Sequence, residues 1–288
     1  MFKVVTKRFL NEAKTICLFE IEAPLVAKHA QAGQFVIFRL DEQGERVPVS
    51  RAGWDREKGT VTVMVQAAGR TTQMLHTVEQ GDYITDFVGP LGRATEMDGL
   101  KKVCVVGGGV GCAIAYPIAR EMHARGIEVT FIAGFRSKDI VILPEELKAA
   151  SDKLTICTDD GSYGEKGFTT VYLKNEIEAN IAAGKPQFDR VIAIGPDIMM
   201  KFLADVTRPY GISTIISLDP IMVDGTGMCG GCRVIVGGET KFACVDGPDF
   251  DAHQVDFDSL LKRSAFYKDE QDEDAKHICR MTGGKRNG

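Results

Sequence analysis

The sequence lacks the features that mark membrane proteins, nucleic-acid binders and secreted proteins. No apolar run among its 288 residues is long enough to span a bilayer. The N-terminal segment MFKVVTKRFLNEAKTICLFEIEAPL alternates charged with apolar residues, unlike a secretory signal. The net charge of −5 leaves no broad positive field, which argues against nucleic acid or anionic lipid as a partner. We therefore expect a cytoplasmic protein with no membrane contact.

The sequence also gives no sign of a disulfide framework. Its eight cysteines lie in a chain expected to be cytoplasmic, where cellular thiols keep them reduced and available for metal or redox chemistry. Five of them are scattered, and each is interpreted as a small buried apolar residue. These five are Cys17, Cys104, Cys112, Cys157 and Cys279.

The chain is long enough for two domains, and its hydrophobic content of 44% can supply two cores. Up to about residue 100, short alternating runs such as QFVIFRL and GTVTVMVQ are separated by turn residues, which predicts an antiparallel β-barrel. From residue 101 onward, apolar strands such as KKVCVVGGG and RVIAIGP alternate with helical stretches. That alternation predicts a doubly wound parallel sheet covered by helices on both faces.

The predicted organisation is therefore a β plus α/β protein with a C-terminal extension. We assign a barrel to residues 1–98 and the parallel-sheet domain to residues 99–222. A cysteine-containing loop covers residues 223–250, and an amphipathic helix with a charged tail covers residues 251–288.

Two glycine-containing turns follow strands of the parallel-sheet domain. VCVVGGGVGCAIAYPIAR is typical of a strand, a tight turn and a helix whose N-terminus can meet a pyrophosphate. The third glycine of the G-x-G-x-x-G pattern is replaced by Cys112, so this turn alone is a moderate signal. AIGPD ends a second strand, and both turns are expected at the carboxyl edge of one sheet. The candidate nucleotide-binding residues are Gly107, Gly108, Gly109, Gly111, Gly195, Pro196 and Asp197.

Acidic residues after another strand favour NAD over NADP. Asp159 and Asp160 could accept hydrogen bonds from ribose hydroxyls and would repel a 2′-phosphate. Arg136 would favour the phosphate instead, and any of these charges could simply be a solvated loop residue.

Two segments of the barrel have the side chains that bind phosphate. GERVPVSRAG puts Arg46 and Ser50 on the same face of one extended segment, although a strand end with an exposed arginine would look the same. VQAAGRTTQML supplies backbone amides and hydroxyl groups that also suit phosphate, in a loop that leads into a short helix. The residues of that loop are Gly69, Arg70, Thr71 and Thr72.

With these motifs, followed by GPLG at residues 89–92, the sequence resembles the ferredoxin-NADP reductase superfamily. The resemblance implies FAD in the barrel, held by Arg46, Pro48, Val49, Ser50 and residues 69–72. It also implies NAD(H) at residues 107–111 and 195–197. With its cysteine loop, the chain is similar to two groups within this superfamily. One contains the electron-transfer subunits of class B dihydroorotate dehydrogenase, and the other the small subunits of NADH-dependent ferredoxin:NADP oxidoreductase.

The cysteine loop DGTGMCGGCRVIV raises the question of an iron–sulfur cluster. Plant-type [2Fe–2S] proteins space their ligands C-x4-C-x2-C with a more distant fourth cysteine, and Cys229, Cys232 and Cys244 match the last three positions. The first position is Asp224, which could ligate iron through oxygen, as the resemblance to the oxidoreductase small subunit implies. Cys279 is the alternative fourth ligand. Structural zinc is disfavoured because no histidine lies near the loop, and a redox C-x-x-C would leave Cys244 unexplained.

The resemblance implies an NADH-oxidising subunit that passes single electrons from FAD through the cluster to a larger flavin and iron–sulfur partner. Ferredoxin would be reached indirectly, and no side chain is expected to act as a general acid or base. Two alternatives stay open. The chain could serve dihydroorotate oxidation instead, or it could be a non-catalytic regulator that binds a nucleotide or metal.

Overall fold

The first seven strands form one antiparallel sheet that nearly closes into a barrel. The structure is a computed structural model, which describes residues 1–265. The sheet order is β6-β1-β2-β5-β4-β3-β7, and its edge strands β6 and β7 follow each other in sequence. The strands are β1 (Phe2–Phe9), β2 (Ile16–Glu22), β3 (Phe35–Arg39), β4 (Val47–Asp55), β5 (Thr60–Gln66), β6 (Tyr83–Ile84) and β7 (Asp86–Leu91). Two short helices, α1 (Pro24–His29) and α2 (Arg70–Leu75), lie between them. The predicted barrel is confirmed.

The second sheet is parallel except at one edge. Its strands are β8 (Lys102–Gly108), β9 (Glu128–Phe135), β10 (Lys153–Thr158), β11 (Glu165–Lys166), β12 (Arg190–Ile194) and β13 (Thr214–Ser217). The connecting helices are α3 (Gly111–Ala124), α4 (Pro144–Ala149), α5 (Thr169–Ala182) and α6 (Asp197–Thr207). The strands lie in the order β11-β10-β9-β8-β12-β13, so the chain adds strands first on one side of β8 and then on the other. Ligands of such sheets bind beyond the carboxyl ends of the strands at this reversal.

The C-terminal part of the described chain packs back onto both domains. It contains a hairpin of β14 (Arg233–Val236) and β15 (Glu239–Phe242), followed by α7 (Ala243–Asp246), β16 (Asp249–Asp251) and α8 (Phe257–Ser264). Strand β16 joins the parallel sheet as an antiparallel edge beside β13. It spans the predicted boundary between the cysteine loop and the C-terminal tail, at residues 250 and 251. The charged tail and Cys279 lie outside the described residues.

Specific hydrogen bonds fix the barrel against the second domain. The amide of Arg93 donates to the carbonyl of Gly247 at 2.7 Å. The hydroxyl of Thr95 donates to a carboxylate oxygen of Asp249 at 2.6 Å. Both acceptors belong to the C-terminal part, which therefore lies between the two domains. In the described part of the chain, no helix has the length and apolar character to cross a membrane.

Candidate functional site

A cavity of about 1610 Å³ lies where the barrel, the parallel sheet and the C-terminal part meet. Residues from all three regions line it, so a ligand inside would touch each of them. Ten of the residues predicted to bind cofactors line this cavity: Pro48, Val49, Ser50, Gly108, Gly109, Gly111, Asp159, Gly195, Pro196 and Asp197.

The two predicted glycine turns touch each other at the floor of the cavity. A Cβ atom added to Gly111 would lie 2.3 Å from the carbonyl oxygen of Ile194, and one added to Gly108 would lie 2.5 Å from the sulfur of Met199. Gly111 therefore admits only glycine, because it meets backbone, whereas a Cβ at Gly108 would require the Met199 side chain to move. Gly107 does not line the cavity, because it packs against Cys112 behind the turn. The N-terminus of α3, at Gly111, faces the cavity, where its backbone amides can bind an anion.

Of Asp159 and Asp160, only Asp159 lines the cavity. Phe135 and Thr158 are register partners on β9 and β10, so the next residues, Arg136 and Asp159, lie side by side at the strand ends. Asp160 instead accepts hydrogen bonds from the amide and hydroxyl of Ser162, which lower the pKa of its carboxyl group.

The predicted phosphate-binding loop of the barrel lies beside the cavity. Residues 69–72 and Arg46 are not part of its lining, whereas Gln66, at the end of β5, is. Thr72 accepts hydrogen bonds from the amides of Ala68 and Gly69 and so shapes the start of α2. Thr71 donates to the carboxylate of Glu45.

Sequence reasoning missed a third carboxylate in the cavity, that of Asp219. Asp219 follows β13 at the same carboxyl edge as Asp197. The rule that ligands bind beyond the carboxyl ends of the strands, which identified AIGPD, could also have identified Asp219. Asp219 is open to the cavity but enclosed by protein on its other sides, so burial raises its pKa, and the nearby Asp197 adds to the rise. Burial likewise raises the pKa of Asp197, although the hydroxyl of Ser264 donates to it at 3.0 Å.

The four predicted cluster ligands lie in what we call the cluster loop, residues 223–245, and they form two pairs. The thiol of Cys229 lies 3.0 Å from a carboxylate oxygen of Asp224, and this pair is open to solvent on its Cys229 side. Cys232 and Cys244 form the second pair, and both are 1% exposed. The amide of Cys244 donates to the sulfur of Cys232 at 3.4 Å. Burial and the neighbouring Cys232 raise the pKa of Cys244 to about 12.

Backbone amides and glycines shape the loop around these pairs. The amide of Met228 donates to Asp224 at 2.8 Å, and that of Gly231 donates to the sulfur of Cys229 at 3.4 Å. The Cys229 thiol and the Met228 amide together hold the pKa of Asp224 well below its usual range. Gly225 has a φ of +77°, and a Cβ there would lie 2.6 Å from the side chain of Ile37 on the barrel. The loop therefore packs directly on the barrel wall.

This donor set fits a binuclear cluster better than a single ion. Within residues 1–265, no group of three or more histidine, cysteine or acidic side chains converges on one point, as tetrahedral zinc would need. Two pairs of oxygen and sulfur donors are what two irons require, because each iron of a [2Fe–2S] cluster takes two protein ligands. Asp224 and Cys229 would hold one iron, and Cys232 and Cys244 the other.

Fold and site together define a flavin and nicotinamide nucleotide module of the ferredoxin-reductase type with an iron–sulfur loop. The family model described as the iron–sulfur cluster binding domain of dihydroorotate dehydrogenase B matches residues 219–256. A Thermotoga maritima protein named as a homolog of the dihydroorotate dehydrogenase B (NAD(+)) electron transfer subunit is 45% identical over 259 residues. The match covers 90% of this chain and 89% of the relative. A Methanocaldococcus jannaschii protein named as a probable subunit of that kind is 32% identical, over 87% of this chain and 90% of its own.

A solved structure also covers nearly the whole chain. It is described as the NADH-dependent reduced ferredoxin-NADP oxidoreductase, studied for flavin-based electron bifurcation. The two chains share 40% sequence identity with a TM-score of 0.88, and the match covers 96% of this chain and 98% of the other. The chain therefore belongs to the family of dihydroorotate dehydrogenase B electron-transfer subunits and their homologues, as the resemblance in its motifs implied.

Proposed function

We propose that this chain is a cytoplasmic electron-transfer subunit that connects NAD(H) to a larger flavin and iron–sulfur partner through FAD and a [2Fe–2S] cluster. The overall reaction is the bifurcation or confurcation of electrons between NAD(H), ferredoxin and NADP(H), with ferredoxin reached through the partner. NAD(H) exchanges a hydride, the cluster takes one electron at a time, and a flavin can do both.

The cavity carries this proposal, because one space joins the predicted flavin, nucleotide and cluster regions. Ser50 lines it from the barrel, Gly109 and Gly195 from the parallel sheet, and Gly231 from the cluster loop. A hydride donor on the sheet side and a flavin ring on the barrel side would thus meet in one enclosed place. The chain's task is to hold these groups in register, which requires no proton-transferring side chain.

The residues proposed for each group follow from their places around the cavity. Pro48, Val49 and Ser50 would bind the flavin, with residues 69–72 beyond Gln66 close to its phosphates. The turns at residues 107–111 and 195–197 would hold the nicotinamide nucleotide, with Asp159 near the adenosine ribose. The cluster would take Asp224, Cys229, Cys232 and Cys244, and Cys229 is its most exposed thiol ligand, open to a partner.

Asp224 favours ferredoxin:NADP chemistry over dihydroorotate oxidation. The resemblance that carries the ligand pattern implies cysteine at this position in the dihydroorotate dehydrogenase subunits and aspartate in the oxidoreductase subunits. Dihydroorotate oxidation remains the second candidate, supported by the 45% identity to the T. maritima homolog and by the match of the family model to the cluster loop.

Anaerobic purification from the native source tests the proposal. We expect a coloured complex with one flavin per chain, bleaching on addition of NADH, and an EPR signal of a reduced [2Fe–2S] cluster. The second subunit should reduce NADP or ferredoxin. A second subunit that oxidises dihydroorotate instead would establish the second candidate. A colourless protein without the EPR signal would rule out both candidates.

A further inference from the structure

Four arginines, three of them outside the cluster loop, bind backbone carbonyls of this loop. Arg46, just before β4 of the barrel, donates from Nε to the carbonyl of Val223 at 2.7 Å and from Nη2 to that of Asp224 at 3.4 Å. The other three bonds run from Arg93 to Val245 (3.1 Å), from Arg233 to Gly230 (3.1 Å) and from Arg263 to Gly231 (3.0 Å).

Amides of the same loop point toward the ligand atoms. Those of Met228, Gly231 and Cys244 donate to Asp224, Cys229 and Cys232, respectively. In a trans peptide unit the carbonyl and the amide point in opposite directions. An arginine that binds a carbonyl therefore also restricts the direction of the amide in the same peptide unit.

One peptide unit joins an arginine directly to a ligand. The carbonyl of Gly230 accepts a hydrogen bond from Arg233, and the amide of the same unit, on Gly231, donates to the sulfur of Cys229. Consecutive hydrogen bonds polarise one another, so the guanidinium strengthens the bond from the amide to the sulfur. Hydrogen bonds to sulfur favour the reduced cluster, which carries more negative charge.

The charge of the arginines acts in the same direction. Among residues 1–265, Arg93 is the only one of the four with a carboxylate within 4.0 Å, namely Asp246 at 3.7 Å. Arg93 and Arg233 are exposed, so solvent weakens the effect of their charges. Arg46 and Arg263 are half-buried, and their charges are less screened. A positive charge close to the loop makes the cluster easier to reduce.

We propose that Arg46, Arg93, Arg233 and Arg263 form a guanidinium clamp that orients the cluster loop and raises the reduction potential of the cluster. They are positioning residues that act through the peptide backbone. The clamp rests on the [2Fe–2S] cluster of the proposed function. It gives Arg46 a role at the cluster, whereas the sequence resemblance implied that Arg46 binds FAD.

A redox titration followed by EPR tests the clamp in the full chain purified without oxygen. In Arg46→Met, we expect the cluster to be about tenfold harder to reduce, a shift of ~59 mV to more negative potential for a one-electron couple. The flavin content should stay unchanged. Arg46→Lys keeps the charge and should recover most of the shift. Arg56→Met is the matched control, because Arg56 donates to the carbonyl of Ala30 at 3.1 Å, away from the loop.

The outcomes separate the clamp from its alternatives. An Arg46→Met protein that keeps its potential overturns the clamp, and loss of FAD in that protein would show that Arg46 binds the flavin instead. If Arg46→Met does not take up a cluster, Arg233→Met provides the test through the Gly230 peptide, and an unchanged potential there overturns the clamp as well. An unmodified chain without a cluster signal would refute the proposed function before any variant is compared.

Discussion

The thiol of Cys229 lies 3.0 Å from the carboxylate of Asp224, five positions earlier in the chain. This spacing equals the one between the first two ligands of plant-type [2Fe–2S] proteins, and the contact puts an oxygen donor beside a sulfur donor. The structure thus gives the departure from the four-cysteine pattern a geometric basis.

Substitution of Asp224 tests whether the carboxylate is a ligand. We expect Asp224→Ala to lose most of its cluster, because one iron would keep a single protein ligand. Asp224→Cys should keep the cluster with altered g-values, since thiolate replaces carboxylate. Iron and sulfide analysis with EPR measures both effects.

The matched control for this test is Thr226→Ala, which removes the hydroxyl that donates to Asp224 at 2.9 Å and leaves the carboxylate in place. Thr226→Ala should keep its full iron content. Unchanged cluster content and g-values in Asp224→Ala would contradict the ligand assignment and make Cys279 the candidate.

Gly111→Ala should damage the nucleotide site. Its Cβ would lie 2.3 Å from the Ile194 carbonyl and push apart the two turns that form the cavity floor. We expect a loss of ~2 kcal/mol in unfolding free energy and a rise of at least about tenfold in the dissociation constant for NADH. Denaturant melts and fluorescence titration measure the two quantities.

Gly126→Ala is the control for backbone strain without a clash. Gly126 has a φ of +77°, but no atom lies within 4 Å of its added Cβ. This variant should lose about 1 kcal/mol of stability and bind NADH normally. Equal NADH affinity in both variants would show that the turn at Gly111 does not contact the nucleotide.

Asp159 and Asp160 should differ in their effect on nucleotide choice. Asp159 lines the cavity, whereas Asp160 is bound to Ser162. We expect Asp159→Ser to reduce the preference for NADH over NADPH about tenfold, because a charged acceptor for ribose hydroxyls is lost and repulsion of a 2′-phosphate is relieved. Asp160→Ser should leave the preference unchanged. The ratio of kcat/KM for the two nucleotides measures this, and a shift in Asp160→Ser alone would reverse the assignment.

Local patterns predicted most of the elements that build the site. Alternating runs gave the barrel, and the glycine turns at Gly109 and Gly195 were expected at one edge of the sheet, where the structure puts both. These features depend on residues close in sequence, so a single chain reveals them. The cysteine spacing is also a pattern of residues close in sequence. The structure brings the four predicted ligands together as two pairs.

Contacts between distant parts of the chain could not be predicted in this way. Arg46 binds carbonyls 177 and 178 positions away, at Val223 and Asp224, and no periodicity encodes which element an arginine will reach. Gly225 is similar. A Cβ at this position would clash with Ile37 on the barrel, a contact that the local sequence does not reveal. Such roles arise only when separate domains pack together.

Burial of the Asp249 carboxyl group should make stability depend on pH. Burial raises the pKa of Asp249 to about 6, although the Thr95 hydroxyl favours the charged form, and one carboxylate oxygen has no hydrogen-bond partner among the described residues. A raised pKa in the folded state means that the protonated acid is favoured there. The stabilisation is therefore complete below the ordinary pKa of about 4 and is lost as the pH rises through 6.

Asp249→Asn mimics the protonated acid and should remove this dependence. We expect the variant to be more stable than the unmodified chain above pH 6, by up to about 2 kcal/mol, because the residue is only half-buried overall and solvent screens part of the effect. Urea unfolding of both proteins between pH 4 and pH 7.5 measures the difference. The raised pKa values of Asp197 and Asp219 act in the same direction in both proteins, so subtracting the two curves isolates Asp249. Parallel curves would contradict this prediction, because they would mean that the Asp249 carboxylate is solvated in the folded protein.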